Sequence, residues 1–374
     1  MDSIELMVTL WPSFPHFPRF AADRRLAGIR LNSAMMDSPE LDHELGVIAE
    51  SNQSMPLWFD IKGRQMRIAE VHPNAHCLDI TLNHPISVKT PTIVLFKAGA
   101  DYAKLERIEE GGRRLIFRGG PRYKVKAGES LHIRDSSLEV HGPLFIQSEL
   151  DKIAKVKAGG IKTWFLSYVE AANDVDEFLE LVGDDAEVML KIESKKGLAF
   201  VASDFVKRPN LTLVAARGDL YVEIERPHLI TEALRLIIEH DAEAMVASRL
   251  MLSTVFEPVA MALRLAIEGE EGTKVGPRFP LKTIFDPIAN PLREMVESDD
   301  ERLVSQRLLL STIYDPIPSC ADFLEIAWLA DIGYRRMMLC DELCLNEGLL
   351  ASAVNAFDAF RSSYVPNIMS ASPR

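Results

Sequence analysis

Cysteine is scarce in this sequence. Four residues (Cys77, Cys320, Cys340 and Cys344) in a chain of 374 exclude a disulfide framework and point to a reducing, cytoplasmic setting. Cys340 and Cys344 have no histidine or further cysteine pair nearby, so they read as ordinary buried thiols rather than a zinc site. Basic charge is outweighed. The 42 Lys and Arg against 55 Asp and Glu leave a net charge of −13, which argues against whole-molecule attraction to nucleic acid or an anionic membrane. Apolar runs are short, and none is long enough to span a bilayer. The opening "MDSIELMVTL" lacks a basic segment followed by a long apolar core, so no signal peptide is expected.

What the chain does have is hydrophobic content of 47%, enough for one large domain and a small one. Short apolar runs alternate with helical patterns. Eight runs read as strands: 4–10, 28–32, 56–60, 163–169, 187–193, 211–216, 244–248 and 334–340. Helix-like segments such as 38–51 and 173–185 follow most of them, which predicts a parallel sheet. Eight such units predict an α/β fold of the closed (β/α)8 TIM barrel type, with its chemistry at the C-terminal ends of the strands.

Two interruptions are expected. After Arg67 the texture changes to turn signals ("EEGGRR", "RGGPR", "KAGE") between β-type runs, which predicts a small all-β lid domain after strand three. Between Lys97 and Arg134 it carries ten Lys and Arg against five acids. That excess suits either a lid over an anionic ligand or a solvated charged hairpin. The second interruption is a repeat. Thr254, Thr283 and Thr312 stand 29 residues apart, as do Arg249, Arg278 and Arg307, so a helical unit is duplicated between strands seven and eight. The expected domains are 1–68 (barrel), 69–143 (lid), 144–361 (barrel, with the repeats at about 233–319) and 362–374 (tail).

Charged residues gather at the predicted strand ends. Strand two offers Arg30 and Asn32, and strand three leads to Asp60, Lys62 and Arg67. Strand five offers Lys191 and Glu193, strand six Gly218 and Asp219, and strand seven Ser248. Lys191 and Glu193 share a strand face because side chains alternate. Glu193 and Asp219 suit a hard divalent cation such as Mg²⁺ or Mn²⁺. Lys191 beside it can stabilise negative charge on an enolate oxygen. Taken singly, each residue has an ordinary explanation as a surface ion pair or a turn. Their joint placement on consecutive strand ends makes a site.

At these residues the sequence resembles the pyruvate kinase family. "GIRLN" resembles Val-Arg-Leu-Asn-Phe-Ser-His, "FDIKGRQMR" resembles Asp-Thr-Lys-Gly-Pro-Glu-Ile-Arg, and "LKIESKKGL" resembles Ser-Lys-Ile-Glu-Asn-x-x-Gly. "VAARGDLYVEI" resembles Val-Ala-Arg-Gly-Asp-Leu-Gly-Val-Glu-Ile, the most specific of the matches. The resemblance implies that Glu193 and Asp219 hold the metal and that Lys191 stabilises the enolate. It further implies that Gly218 and Ser248 touch the carboxylate of pyruvate, and that Arg30 and Arg67 meet a phosphate or other distal anion. Asn32 and Asp60 match the family's monovalent-cation site, but Ile61 and Ala34 depart from it and speak against bound K⁺. The nucleotide-side histidine is replaced within "SAMM", the lid motif Lys-Lys-Gly-Val-Asn-Leu-Pro by a segment containing "SLHIRDSSLEV", and the C-terminal regulatory domain is expected to be absent.

The expectation is therefore a metal-dependent enzyme acting on the enolate of pyruvate or a related 2-oxo acid, by carbon–carbon cleavage, aldol condensation or decarboxylation. The alternatives are a divergent kinase transferring phosphate from phosphoenolpyruvate to ADP, and a non-catalytic scaffold that uses the repeats as its interaction surface. Whether a nucleotide binds is left open, and a homo-oligomer is expected.

Overall fold

The computed structural model describes residues 4–33, 38–50, 54–74, 76–224, 226–254 and 318–364. Of the repeat region at about 233–319, residues 255–317 lie outside the described residues, and the first repeat is described only as far as Thr254. The chain divides into two units. One comprises Glu5–Ser248 with Gly333–Met338, and the other Met1–Ile4, Arg249–Ile332 and Leu339–Arg374.

The first unit contains the barrel. Its strands are β1 (Glu5–Thr9), β2 (Gly28–Asn32), β3 (Leu57–Ile61), β11 (Thr163–Leu166), β12 (Glu187–Ile192), β13 (Leu211–Ala216), β14 (Met245–Ala247) and β15 (Arg336–Met338). They close in the order β1-β15-β14-β13-β12-β11-β3-β2, every pair parallel. All eight predicted strands are present, and the α/β barrel fold stands. The fourth is shorter than its apolar run because Tyr168 takes a left-handed φ of 56°, which ends the ladder.

Period-two alternation sets what the barrel holds. On β12, Val188, Leu190 and Ile192 are fully buried on one face, while Met189 on the other joins Met7, Phe165, Val214, Met245 and Met338 in an apolar layer across the barrel. Lys191 and Glu193 follow Met189 on that inward face. The same step takes β3 from Trp58, packed on the layer, to Asp60 and Lys62, and β11 from Phe165 to Ser167. Gly28 makes room beneath Arg30, since a Cβ there would stand 3.0 Å from Met7 and 3.2 Å from Trp58.

Between β3 and β11 lies an all-β insertion. A five-stranded antiparallel sheet runs β4 (Ile68–Val71), β5 (Asp79–Leu82), β9 (Arg114–Arg118), β8 (Asp101–Glu109), β7 (Thr92–Phe96), and a second, two-stranded sheet pairs β6 (Ile86–Ser87) with β10 (Glu139–Val140). Its core is its own: Ile68, Ile80, Leu82, Val94, Phe96, Leu105, Leu115, Phe117, Leu131 and Ile133. Five of the ten basic residues between Lys97 and Arg134 form ion pairs with acids of the same domain. Lys97 pairs with Glu129, Lys104 with Glu106, Arg107 with Glu109, Arg114 with Asp79 and Arg122 with Asp101. Of the two readings of that charge, the paired hairpin surface describes these five.

The first unit also carries helices α1 (Phe17–Ala21), α2 (Ser38–Glu50), α3 (Gln147–Ala158), α4 (Ala172–Val182), α5 (Lys195–Ser203), α6 (Arg217–Glu223) and α7 (Ile230–His240). In the second unit α8 (Cys320–Asp331) opens with a capping box between Ser319 and Asp322, and α10 (Glu347–Ser363) follows the short α9 (Asp341–Cys344). Phe360 stacks on Phe323 and on Tyr364 there. Among the described residues no helix is long and apolar enough to cross a membrane.

Candidate active site

The C-terminal ends of β2, β3, β11 and β12 bring Arg30, Asp60, Ser167 and Lys191 into direct contact. Asp60 is fully buried, and its Oδ2 accepts from Arg30 Nε and Nη2 at 2.8 and 2.5 Å. Lys62 Nζ stands 3.2 Å and Lys191 Nζ 3.3 Å from the same oxygen, while Ser167 Oγ donates to Oδ1 at 2.9 Å. Three cations around one carboxylate hold Asp60 well below the usual carboxylate range. Burial works the other way, and the charges of Lys191, Lys62 and Arg30 overcome it. Lys62 is pushed down to about 7 by burial, against the pull of Asp60 and with Lys191, Arg30 and Arg67 adding to the effect.

Lys191 spans the two halves of the cluster. Its ammonium donates to Ser167 Oγ at 2.9 Å and pairs with Glu193 Oε1 at 2.9 Å. Burial disfavours its charge, but Asp60 and Glu193 outweigh burial and raise its pKa. Glu193 Oε2 accepts the Tyr168 N–H at 2.8 Å. Burial, opposed by Lys191 and reinforced by Asp219, pushes Glu193 up to about 7. Asp219 lies in α6, which starts directly after β13. Burial raises its pKa, but His132 first and then Lys191 outweigh burial and hold it low.

The remaining predicted residues are placed as follows. Gly218 sits against Ser248, where an added Cβ would lie 3.4 Å from the serine Cβ. Ser248 has a left-handed φ of 67°, and its carbonyl accepts from Arg217 Nη2 at 2.7 Å. Asn32 is in register opposite Asp60. Arg67 reaches the cluster through an intermediary: it donates to Gln65 Oε1 at 2.9 and 2.5 Å, and Gln65 Nε2 stands 3.4 Å from Asp219 Oδ2.

Sequence reasoning passed over Ser167, Gln65, Tyr168, His132 and Glu223. His132 comes from the inserted β domain, yet its ring is buried in the barrel mouth. Its Nδ1 stands 2.7 Å from Glu223 Oε1 and 3.2 Å from the Tyr168 hydroxyl, and its Nε2 stands 3.4 Å from Asp219 Oδ1. Burial lowers its pKa, but the flanking Asp219 and Glu223 prevail and push it up to about 9. The one available signal was a polar residue alternating between apolar Leu131 and Ile133.

Glu193 and Asp219 face each other from consecutive strand ends, and Asp219 keeps 27% of its side chain exposed. Among the described residues, no cluster of three or more His, Cys, Asp or Glu could hold a metal ion. Glu193 and Asp219 would by themselves supply two carboxylate donors, the number Mg²⁺ takes when water and substrate oxygens complete its shell.

Fold and site together define a class: a parallel (β/α)8 barrel with a β domain inserted after the third strand and a buried lysine–carboxylate cluster at the strand ends. The chain's fold is that of pyruvate kinase structures, and part of its sequence is similar to a pyruvate kinase. Over 252 residues, 62% of this chain, it is 23% identical to a protein of Thermoplasma acidophilum described as pyruvate kinase. That match spans 45% of the relative's length. In structure it is similar to the pyruvate kinase of Pyrobaculum aerophilum, with a TM-score of 0.62 and 15% identity over 98% of this chain and 75% of that one. No family model matches.

Proposed function

We propose that the protein carries out divalent-metal-dependent enolate chemistry on pyruvate or a related 2-oxo acid. The observation that carries this reading is Lys191, a buried ammonium held at 2.9 Å from Glu193 and anchored on Ser167 and Asp60. A cation held by Glu193 and Asp219 would act as a Lewis acid on the substrate's oxo and carboxylate oxygens. Lys191 would share the negative charge that develops on the enolate oxygen, in a buried setting where a fixed charge counts for more than in water. Gly218 and Ser248 would take the carboxylate; a Cβ at position 218 would stand 3.6 Å from the Ser248 hydroxyl, so glycine leaves that hydroxyl uncrowded. Arg30 and Lys62, with Arg67 beyond them, would supply positive potential for a distal anion.

The bond made or broken is carbon–carbon in this reading. Beside the cluster, a cleft of about 210 Å³ is lined by Arg64, Arg134, Tyr168, Glu170, Ser194 and Lys196, among others. It is smaller than the ~300–1,000 Å³ that drug-sized ligands occupy, so it suits a small second substrate. The second reading, phosphate transfer from phosphoenolpyruvate to ADP, is favoured by the description of the Thermoplasma relative. A coupled assay with phosphoenolpyruvate, ADP and Mg²⁺ separates the two. No turnover above the enzyme-free rate is expected, and steady ATP formation would replace the first reading with the second.

A further inference from the structure

His132 does not belong to the barrel, yet it is one of the most buried polar residues at the barrel mouth, with 1% exposure. Its backbone is fixed in the β domain, where Leu95 and His132 exchange hydrogen bonds of 2.8 and 3.0 Å. Its neighbours Leu131 and Ile133 point into the domain core. Alternation therefore sends the imidazole out of the opposite face, towards α6. The same stretch takes hold of α6 again where Arg134 Nε donates to the Val222 carbonyl. Three residues of one helix, Asp219, Val222 and Glu223, are thus gripped from the β domain.

The imidazole divides its two nitrogens between two carboxylates of that helix. Nδ1 is within hydrogen-bonding distance of Glu223, itself 8% exposed, and Nε2, which has no hydrogen-bond partner, stands 3.4 Å from Asp219 Oδ1 as an ion-pair contact. Without this ring, Asp219 would lose the cationic contact on Oδ1 and keep the 3.4 Å contact from Gln65 Nε2 on Oδ2. Glu223 would lose its ionic partner.

We propose that His132 is a positioning residue: it docks the β domain on α6 and orients Asp219 for the divalent cation, so that domain docking and metal binding are one coupled equilibrium. This rests on the reading of Glu193 and Asp219 as metal ligands. Hydrogen-bonded partners of metal ligands change affinity by about 10–100-fold when removed. Coupling is reciprocal, so an ion that binds more tightly to the docked form must itself tighten docking.

The test uses the full chain and Mn²⁺, with the free ion followed by paramagnetic resonance and backbone hydrogen exchange followed over 129–134 and 217–223. His132→Ala is expected to weaken Mn²⁺ binding about tenfold or more, and His132→Gln, which keeps an N–H donor, to recover part of the loss. Mn²⁺ should slow exchange over 129–134 in the wild type and lose that effect in His132→Ala. Glu223→Gln, which leaves the ring in place, covers the case in which the alanine variant does not fold; it should speed exchange over 129–134 and reduce the protection by Mn²⁺. Mn²⁺ affinity in both histidine variants within about twofold of wild type or tighter, or Mn²⁺ without effect on wild-type exchange, would overturn the coupling and leave the metal site standing. A wild type that binds no Mn²⁺ would overturn the metal reading itself, and the proposal with it.

Discussion

At the scale of single residues, Asp60 sets the electrostatics of the cluster. It is the common partner of Arg30, Lys62 and Lys191. Removing its charge while keeping its shape leaves three buried cations facing one another. Losing one partner of a buried ion pair costs about 3–5 kcal/mol. Asp60→Asn is therefore expected to lower the urea midpoint by a stability loss of that order, and an unchanged midpoint would show that water compensates the cations. Lys191 and Glu193 were legible in the sequence because two residues on one strand face need only alternation to meet. Arg30, Asp60 and Asp219 were legible because strand order brings their ends together. His132, Tyr168 and Glu223 were not, because they meet only when an inserted domain docks on a helix distant in sequence, and no local pattern encodes that docking.

At the scale of elements, the strand ends depend on close backbone approaches. A Cβ on Gly197, in the first turn of α5, would stand 2.7 Å from the Val169 carbonyl. The N-cap Ser194 accepts from Gly197 N–H at 3.0 Å, so the helix cannot shift without losing its cap. Gly197→Ala is expected to destabilise by about 1–3 kcal/mol, as overpacking does, and to lower the melting temperature. A melt at the wild-type temperature would show the loop yields. In the β domain, Arg114 donates to both oxygens of Asp79 at 2.9 and 2.8 Å and, as the main cause, holds that carboxyl below its usual value. A depressed carboxyl stabilises the fold above its unfolded pKa of about 3.8–3.9, and that stabilisation fades as pH falls through the folded value. The wild-type domain should lose stability across that acid window, and Asp79→Asn should flatten the dependence in melts taken from pH 6 downward. An equally steep loss in the variant would place the acid sensitivity elsewhere. The eight barrel strands were readable as elements because each is a short apolar run. The premature end of β11 was not, since it follows from the left-handed turn at Tyr168.

At the scale of the whole molecule, the similarity to the Thermoplasma protein covers 62% of this chain and under half of that relative. The catalytic proposal therefore rests on the cluster itself rather than on the relative's description. In this acidic chain Arg30, Lys62 and Lys191 gather positive charge inside the barrel, and half of the basic residues between Lys97 and Arg134 are paired with acids of the β domain. Both enzymatic readings pass through the enolate of pyruvate, and a non-catalytic scaffold does not. The most direct measurement is proton NMR of pyruvate in D₂O with the protein and Mg²⁺, following the methyl signal. The account predicts exchange of the methyl protons that requires Mg²⁺ and falls by about a hundredfold or more in Lys191→Ala, the range seen when a charge-stabilising donor is removed from an active site. Exchange no faster than the Mg²⁺-only blank, or unchanged in Lys191→Ala, would contradict it.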